Sequence, residues 1–503
     1  MPSYKRPGVF VEETLTPSQS RSSGGGSIAA FVGTYGRGLT TPSLVTSYSD
    51  FSNRYGPLDA SYDLGFAVFT YFGNGGSACW ITRAVGSGAA AATLTLSDRA
   101  STPQATLTAA AISPGTWGNT VYLSITDVGS AGRFTLTVFN EGTSPVNAVE
   151  TYTDLSMDPT DNRYVVTLVN SQSNYITLTN AGSSTAAPNN APSARTAADV
   201  NAVLSGGADG SAPSAANYLA AVQKLDTVEG PLVLNLPGIS SATTLNPIIS
   251  YCETRGDVFL VIDPAANRTA SEVTTDFATA THSSYGAIYY PRIQIADPIS
   301  ITPNVLRTIA PGGAVVGQML RTDVQSGPFK APAGINAGLL PASAVERKLT
   351  PTELDTLNTA SPAINVIRPI PNGGICVMGA RTLKSGYADM YVPVRRSLIY
   401  IRKSLIDLTQ FAVFEPNDER LWQRIRVSCA NFLQQYYQKG GLRGSTPTQA
   451  FYVKCDATLN DSAAIASGVV NVEIGVALQY PAEFIILRLG QFEGGSASIV
   501  EVS

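Results

Sequence analysis

The sequence predicts a multidomain α/β (α+β) chain. It has a central α/β domain carrying an inserted antiparallel β-domain, a second α/β domain towards the C-terminal end, and an extended strand arm at each end. Three observations carry this reading. Between Gly206 and Asn336, short apolar runs alternate with helical stretches, the pattern of a mostly parallel sheet buried on both faces. From 89 to 200, segments of period two are separated by Gly, Pro and Asn, as antiparallel strands and their turns require. After Arg347 the strand–helix pattern returns, around one long amphipathic helix.

Residues 1–26 read as an arm and hinge. Pro2, Pro7 and Pro17 break helix, and Gly8 to Glu13 is an extended run with no hairpin partner nearby. A lone strand such as Val9, Phe10, Val11 and Glu12 buries little, so it is either frayed or paired with something distant. Gly24-Gly25-Gly26 supplies the hinge. The central domain is assigned to 27–88 plus 201–340. Its first block holds strands at Ile28–Gly33 and Ala78–Arg83, with Leu44-Val45-Thr46 between them, and a helix from Tyr62 to Phe72 stopped by Gly73-Asn74-Gly75-Gly76. The loop from Gly33 to Gly38 lacks both the P-loop Lys-Ser/Thr and the full G-x-G-x-x-G, so it reads as a tight turn.

The inserted domain, 89–200, has strands expected at Thr93–Ser97, Gln104–Thr108, Val121–Asp127, Arg133–Asn140, Tyr164–Asn170 and Tyr175–Thr179. The stretch from Ser183 to Ala197 is its exit linker. The central domain then resumes with strands at Leu232–Leu236, Val258–Ile262 and Ala287–Tyr290, separated by helices near Ala216–Leu225, Thr244–Thr254 and Ser271–Thr281.

The C-terminal domain is assigned to 341–492. Leu354 to Asn365 leads into it, and Ile375–Met378 is a strand. Arg395 to Thr409 is a helix with Leu398, Ile401, Leu405 and Leu408 on one side. In the long helix that follows, Asn417 is the expected N-cap, and Asp418 and Glu419 meet the positive end of the dipole. Leu421, Trp422, Ile425, Cys429, Phe432, Leu433 and Tyr436 share one face, and Gly440-Gly441 stops the helix. Phe451–Val453, Val470–Gln479 and Ala482–Leu489 complete a sheet. Residues 493–503 form a second arm: a hinge at Gly494-Gly495, then Ser498, Ile499, Val500, Glu501 and Val502.

Composition narrows the function. Charged residues are 14% of the 503, against roughly 25% in an average soluble protein. That fits either a Ser/Thr-coated β-rich protein or a subunit whose surface neighbours cover. A net charge of −4 gives no basic footprint for nucleic acid. No apolar run reaches 18 residues, and the start, MPSYKRPGVFVEE, has no secretory h-region. Five scattered cysteines, Cys79, Cys252, Cys376, Cys429 and Cys455, read as reduced thiols made in a cytoplasm.

His282 is the single histidine. A Ser-His-Asp triad would need it as base with an aspartate such as Asp263, but there is no G-x-S-x-G elbow, so a surface histidine is the expectation. No His, Cys or carboxylate cluster has ligand spacing, so neither metal nor cofactor is expected, and the chain reads as a non-enzyme. Two features suggest assembly instead. A strand behind a hinge gains stability by completing another chain's sheet. Arg395-Arg396 and Arg402-Lys403 are seven apart and share one helical face, with Arg420 and Arg424 as an alternative basic face.

Short motifs recur in a specific order: GARTL (379–383), VRR (394–396), VFEPN (413–417) followed by Trp422, Lys454-Cys455-Asp456 with Asn460, Gly468, and PAEF (481–484). Upstream stand PGVFVEE, AFVGTYGRG, TSYSDF, YFGNGG, CWITR, PGTWGN around Trp117, GGADG and GPFKAPAG. Together they resemble the contractile tail sheath proteins of tailed bacteriophages and related contractile injection particles, most weakly over 125–200 and 340–370. The resemblance implies a structural subunit that polymerises helically around an inner tail tube. Contraction would then drive the tube through a target envelope during genome or effector delivery. It implies a central domain of the kind described as subtilisin-like, an outward β-domain and an inner C-terminal domain whose basic face meets the tube.

The resemblance further implies arms that join a sheet in a neighbouring C-terminal domain. The implied partners are further copies, the tube protein, and baseplate and terminator proteins at the ends, without nucleic acid or membrane insertion. Assembly would occur in the bacterial host cytoplasm, and the product would be a virion tail. It does not separate a phage tail from a phage-derived bacteriocin or another injection particle. The rival readings are a serine hydrolase and a static surface-layer or adhesin protein.

Overall fold

The computed structural model describes residues 26–127, 132–199, 202–386 and 389–483. The expected arm strands at 9–12 and 498–502, and the strand expected at 482–489 beyond Glu483, lie outside the described residues.

An eight-stranded sheet organises the central domain, in the order Gly374–Val377, Ile364–Ile370, Gly286–Tyr290, Val258–Ile262, Leu232–Asn235, Ile28–Gly33, Cys79–Arg83, Ser43–Val45. The six inner strands are parallel, and each edge strand is antiparallel to its neighbour. Val258–Ile262 and Gly286–Tyr290 are buried at every position, which explains why their sequences are apolar runs rather than alternations. Helices flank the sheet. Asp63–Gly73 and Gly312–Gln325 approach each other so closely that a Cβ at Gly313 would lie 2.2 Å from the Ala67 carbonyl oxygen, so only glycine fits there.

Two expectations change at this level. The strands Ile364–Ile370 and Gly374–Val377 fall within the expected C-terminal domain, yet Ile364–Ile370 pairs with Gly286–Tyr290 and so belongs to the central sheet. The C-terminal unit therefore starts near residue 390. It has its own core, centred on Ile401, Leu421, Ile425, Leu433 and Leu442.

The inserted domain consists of two three-stranded antiparallel sheets over a separate core that includes Leu107, Leu123, Phe134 and Ile176. One sheet holds Thr93–Ser97, Ala105–Ala111 and Ile176–Asn180; the other holds Val121–Asp127, Phe134–Asn140 and Ala148–Leu155. The strand expected at Tyr164–Asn170 is instead a helix, Val165–Gln172. Val165 and Val169 are buried one turn apart, and the Asn170 side chain bonds the backbone of Leu178 in both directions at 2.9 and 2.7 Å. Tertiary packing here overrides the β-preference of three valines.

The insertion is fastened to the central domain by two arginines. The Arg37 guanidinium lies 4.3 Å from the Tyr175 ring centroid and 5.3 Å from that of Trp117, while its Nε donates to the Arg54 carbonyl at 3.1 Å. Buried Arg83 donates to the Pro114 carbonyl at 2.6 Å.

At the C-terminal edge of the central sheet, Asp263 is fully buried. Its carboxylate accepts from Gly312 N at 2.6 Å, Asn235 Nδ2 at 3.1 Å and Gly238 N at 3.2 Å. Gly312 opens a helix, so the carboxylate caps its positive end. Burial dominates and raises the Asp263 pKa from 3.8 to about 6, against the hydrogen bonds and Arg292, which lower it. An acid with a raised folded pKa stabilises the fold most below its unfolded value and loses that contribution as pH rises through the folded value. Stability relative to Asp263→Asn is therefore expected to fall between pH 4 and pH 7, by about 3 kcal/mol for a shift of this size. Urea unfolding of both proteins across that window checks it; parallel pH profiles would refute it.

Candidate functional site: an interdomain seam and a two-stranded sheet

The helix Val392–Thr409 starts at a proline-compatible first turn, with Pro393 near its N-terminus, and runs between the central and C-terminal cores. Of the four basic residues expected to share an outward face here, Arg395 and Arg396 are each only 3% exposed. Arg395 pairs with Asp389 at 2.6 Å, donates to the Tyr285 hydroxyl at 3.2 Å and stacks on the Tyr285 ring. Burial alone would raise the Asp389 carboxyl, but Arg395 and Lys384 hold it below the ordinary range. Arg396 grips Asp323 with both terminal nitrogens, Nη1 to Oδ1 at 2.9 Å, and burial pushes the Asp323 carboxyl up against that pairing.

The other two cations are also used within the chain. Arg402 packs on Gly256, where a Cβ would sit 1.6 Å from its Nη1, at the C-terminal end of the helix Ala242–Arg255 that a cation favours. Lys403 pairs with Asp407 at 2.6 Å, one turn on. The outward face expected at 395, 396, 402 and 403 is thus corrected at Arg395 and Arg396, which lie in a seam, while Arg402 and Lys403 remain half-exposed. Heptad spacing does align these residues, but Arg395, Arg396 and Lys403 find their acceptors within the same chain. Tyr436 completes the seam by donating to Ser397 Oγ at 3.0 Å, its ring edge-on to Phe329.

A second fastening joins two of the sequence motifs. Arg381 of GARTL donates from Nε to both carboxylate oxygens of Glu483 in PAEF, at 3.0 and 3.1 Å, and from Nη1 to the Asn358 carbonyl. The Asn365 side chain holds the Arg381 backbone on both sides, at 2.7 Å each. Sequence reading missed this clamp. The one available signal was an opposite charge in each of the two motifs.

The long helix spans Glu419–Gln438. Its N-cap is Asp418, accepting from Leu421 N at 2.9 Å, rather than Asn417. Asn417 instead accepts from the Trp422 indole and donates to the Val469 carbonyl. Arg420, Gln423, Arg424 and Val427 are exposed along the outer side, a face of cations and amides. Against the inner side lies a two-stranded antiparallel sheet, Phe451–Lys454 with Glu473–Val476. Tyr452 faces Gly475 and its ring occupies the space a Cβ would fill there, 2.1 Å from Cε1. Ala477 N donates to the Ala450 carbonyl at 2.8 Å. The alternation of antiparallel bonding then turns the amides of Val453 and Ile474 away from each other, to opposite outer edges.

The rival serine-hydrolase reading needed an aspartate such as Asp263 to orient His282. His282 is exposed, and the Asp263 carboxylate faces Gly312, Asn235 and Gly238.

Comparison with known proteins follows the same division. Residues 390–491 match the family model of the phage tail sheath C-terminal domain. No curated protein matches the chain in sequence. Among solved structures, the sheath complex of an extracellular contractile injection system (PVC) in its contracted state is similar at 20% identity and TM-score 0.57. It covers 98% of this chain and 99% of that one. The helical sheath of the anti-feeding prophage in its contracted state is similar at 20% identity and TM-score 0.56, covering 97% and 100%. A sheath tail protein from Listeria innocua is similar at 13% identity and TM-score 0.58, covering 87% and 90%. The chain thus has, over nearly its whole length, the fold of contractile-sheath proteins, and its residues 390–491 are similar to the phage tail sheath C-terminal domain.

Proposed function

We propose that the chain is the structural subunit of a contractile sheath, polymerising helically around an inner tube and shortening to drive that tube through a target envelope. The observation that carries the reading is coverage. The likeness to contractile-system sheaths extends over 97–98% of this chain and 99–100% of theirs, so it includes every domain rather than one shared module. The internal clamps suit such a role. Buried ion pairs at Arg395 and Arg396 and the Arg381–Glu483 pair tie the C-terminal unit to the central domain, so force passes through a stiff body. In this reading the arms at 9–12 and 498–502 join the outer edges of the Phe451–Lys454 and Glu473–Val476 sheet in neighbouring copies. The exposed cations Arg420 and Arg424 take over the tube-facing role, and the inserted domain lies outward. Baseplate and terminator proteins would cap the polymer, and assembly in a bacterial host cytoplasm would yield a phage or phage-like tail.

Negative-stain electron microscopy of the chain, alone and co-expressed with its tube protein, tests this. Tubular polymers are expected, and they should disappear when residues 1–20 or 496–503 are deleted. Arg420→Glu with Arg424→Glu should leave the polymers intact but empty of tube. Monodisperse particles under both conditions would end the sheath reading.

A further inference from the structure

The loop between the two C-terminal helices holds an exposed aromatic in a costly conformation. Phe414 has φ +67°, and its neighbours in that backbone region, among the described non-glycine residues, are all Asn, Asp or Glu. Asparagine and aspartate enter the left-handed region readily; a bulky ring there is an outlier that something must favour. Nothing among the described residues rewards it, since Phe414 is 89% exposed.

The same domain also carries an open cleft. Between the helices Val392–Thr409 and Glu419–Gln438 lies a cavity of about 360 Å³, lined by Tyr400, Ser404, Leu408, Phe432, Tyr436 and Lys439. Its volume is within the range of roughly 300–1,000 Å³ found for ligand clefts, and it is open to solvent on one side with a mixed polar and apolar lining. Leu408 is 39% exposed at its edge. Ser404 is 2% exposed, and its Oγ has no hydrogen-bond partner among the described residues, an uncommon state for a buried hydroxyl. The charges are complementary. Glu415 follows Phe414 and is held only loosely, 3.5 Å from half-exposed Arg424, while Lys439 is an exposed cation on the cavity wall. Asp407, the carboxylate lining the cavity, is neutralised by Lys403.

We propose that Phe414 of one copy seats in this cavity of a second copy, with its Glu415 against the second copy's Lys439. Knob and cavity are different surfaces of one chain, so the contact is heterologous and propagates from copy to copy, as an open helical polymer requires. The inference rests on the sheath reading and supplies one of its subunit contacts.

The test is sedimentation of the full chain across a concentration series. Phe414→Gly removes the ring and relieves the backbone. It should raise the critical concentration for polymer by about tenfold or more, the scale of a buried aromatic anchor, without lowering the thermal midpoint. Glu415→Lys and Lys439→Glu should each do the same, and their combination should recover assembly. An unchanged critical concentration in Phe414→Gly, or no recovery in the double variant, overturns the contact while leaving the sheath reading in place. A wild-type chain that never polymerises overturns the sheath reading. The contact is then decided by mixing Glu415→Cys and Lys439→Cys proteins under oxidation, where a cross-linked dimer supports it and monomer alone overturns it.

Discussion

Arg396→Met is expected to destabilise the chain by about 3–5 kcal/mol, the scale for removing one partner of a buried ion pair. The expectation follows from where Asp323 sits. It lies near the end of the Gly312–Gln325 helix with its carboxylate enclosed, and burial already raises its pKa despite the arginine. Without Arg396, that carboxylate must either stay charged in a poor solvent or take up a proton, and both cost free energy at neutral pH. The loss should appear in the urea midpoint of the transition that unfolds the seam. Lys403→Met is the control. Its pair with Asp407 is partly exposed and within one helix, so no more than about 1 kcal/mol is at stake. Arg396→Met combined with Asp323→Leu should regain most of the loss, because replacing both partners leaves no orphaned charge. Equal midpoints for Arg396→Met and Lys403→Met would show that the pair does not hold the seam.

This pair also marks where sequence reading stopped. The parallel strands were legible because burial on both faces writes itself as an uninterrupted apolar run, as at Val258–Ile262. The Glu419–Gln438 helix was legible because one buried face leaves a 3.6-residue period. Spacing likewise placed Arg395, Arg396, Arg402 and Lys403 on a common line of a helix. Whether that line met water depended on Asp323, Tyr285 and Gly256, residues far upstream that local pattern cannot bring near. The misplaced domain boundary has the same cause. Ile364–Ile370 looks like the start of a new α/β unit until its partner, Gly286–Tyr290, is known. Asn417 and Asp418 are equally good caps by propensity; the Trp422 indole and the Val469 carbonyl decide between them by occupying Asn417. The Arg381–Glu483 clamp spans a still longer interval and had no local signature beyond two charges.

Val453→Pro and Ile474→Pro are each expected to cut sedimentable polymer by at least about tenfold, equivalent to about 1.4 kcal/mol per contact; Val453→Pro should change the monomer's stability far less, whereas Ile474→Pro also removes a buried core side chain and lowers the thermal midpoint. A proline removes a backbone donor, which matters only where that donor has a partner. Among the described residues, the Tyr452–Gly475 pair carries the ladder bonds, and the amides of Val453 and Ile474 point outward on opposite edges. If the 9–12 and 498–502 arms of neighbouring copies add to those edges, each proline strikes one docking strand's hydrogen bonds and leaves the sheet's internal register alone. The two variants should therefore behave like the two arm deletions taken one at a time, and combining a proline with the deletion that acts on the same edge should add little further loss. That non-additivity is the decisive reading, because a proline that merely unfolded the domain would compound with either deletion. Full assembly of both proline variants would mean that the arms pair elsewhere, and the outer edges of this sheet would need another occupant.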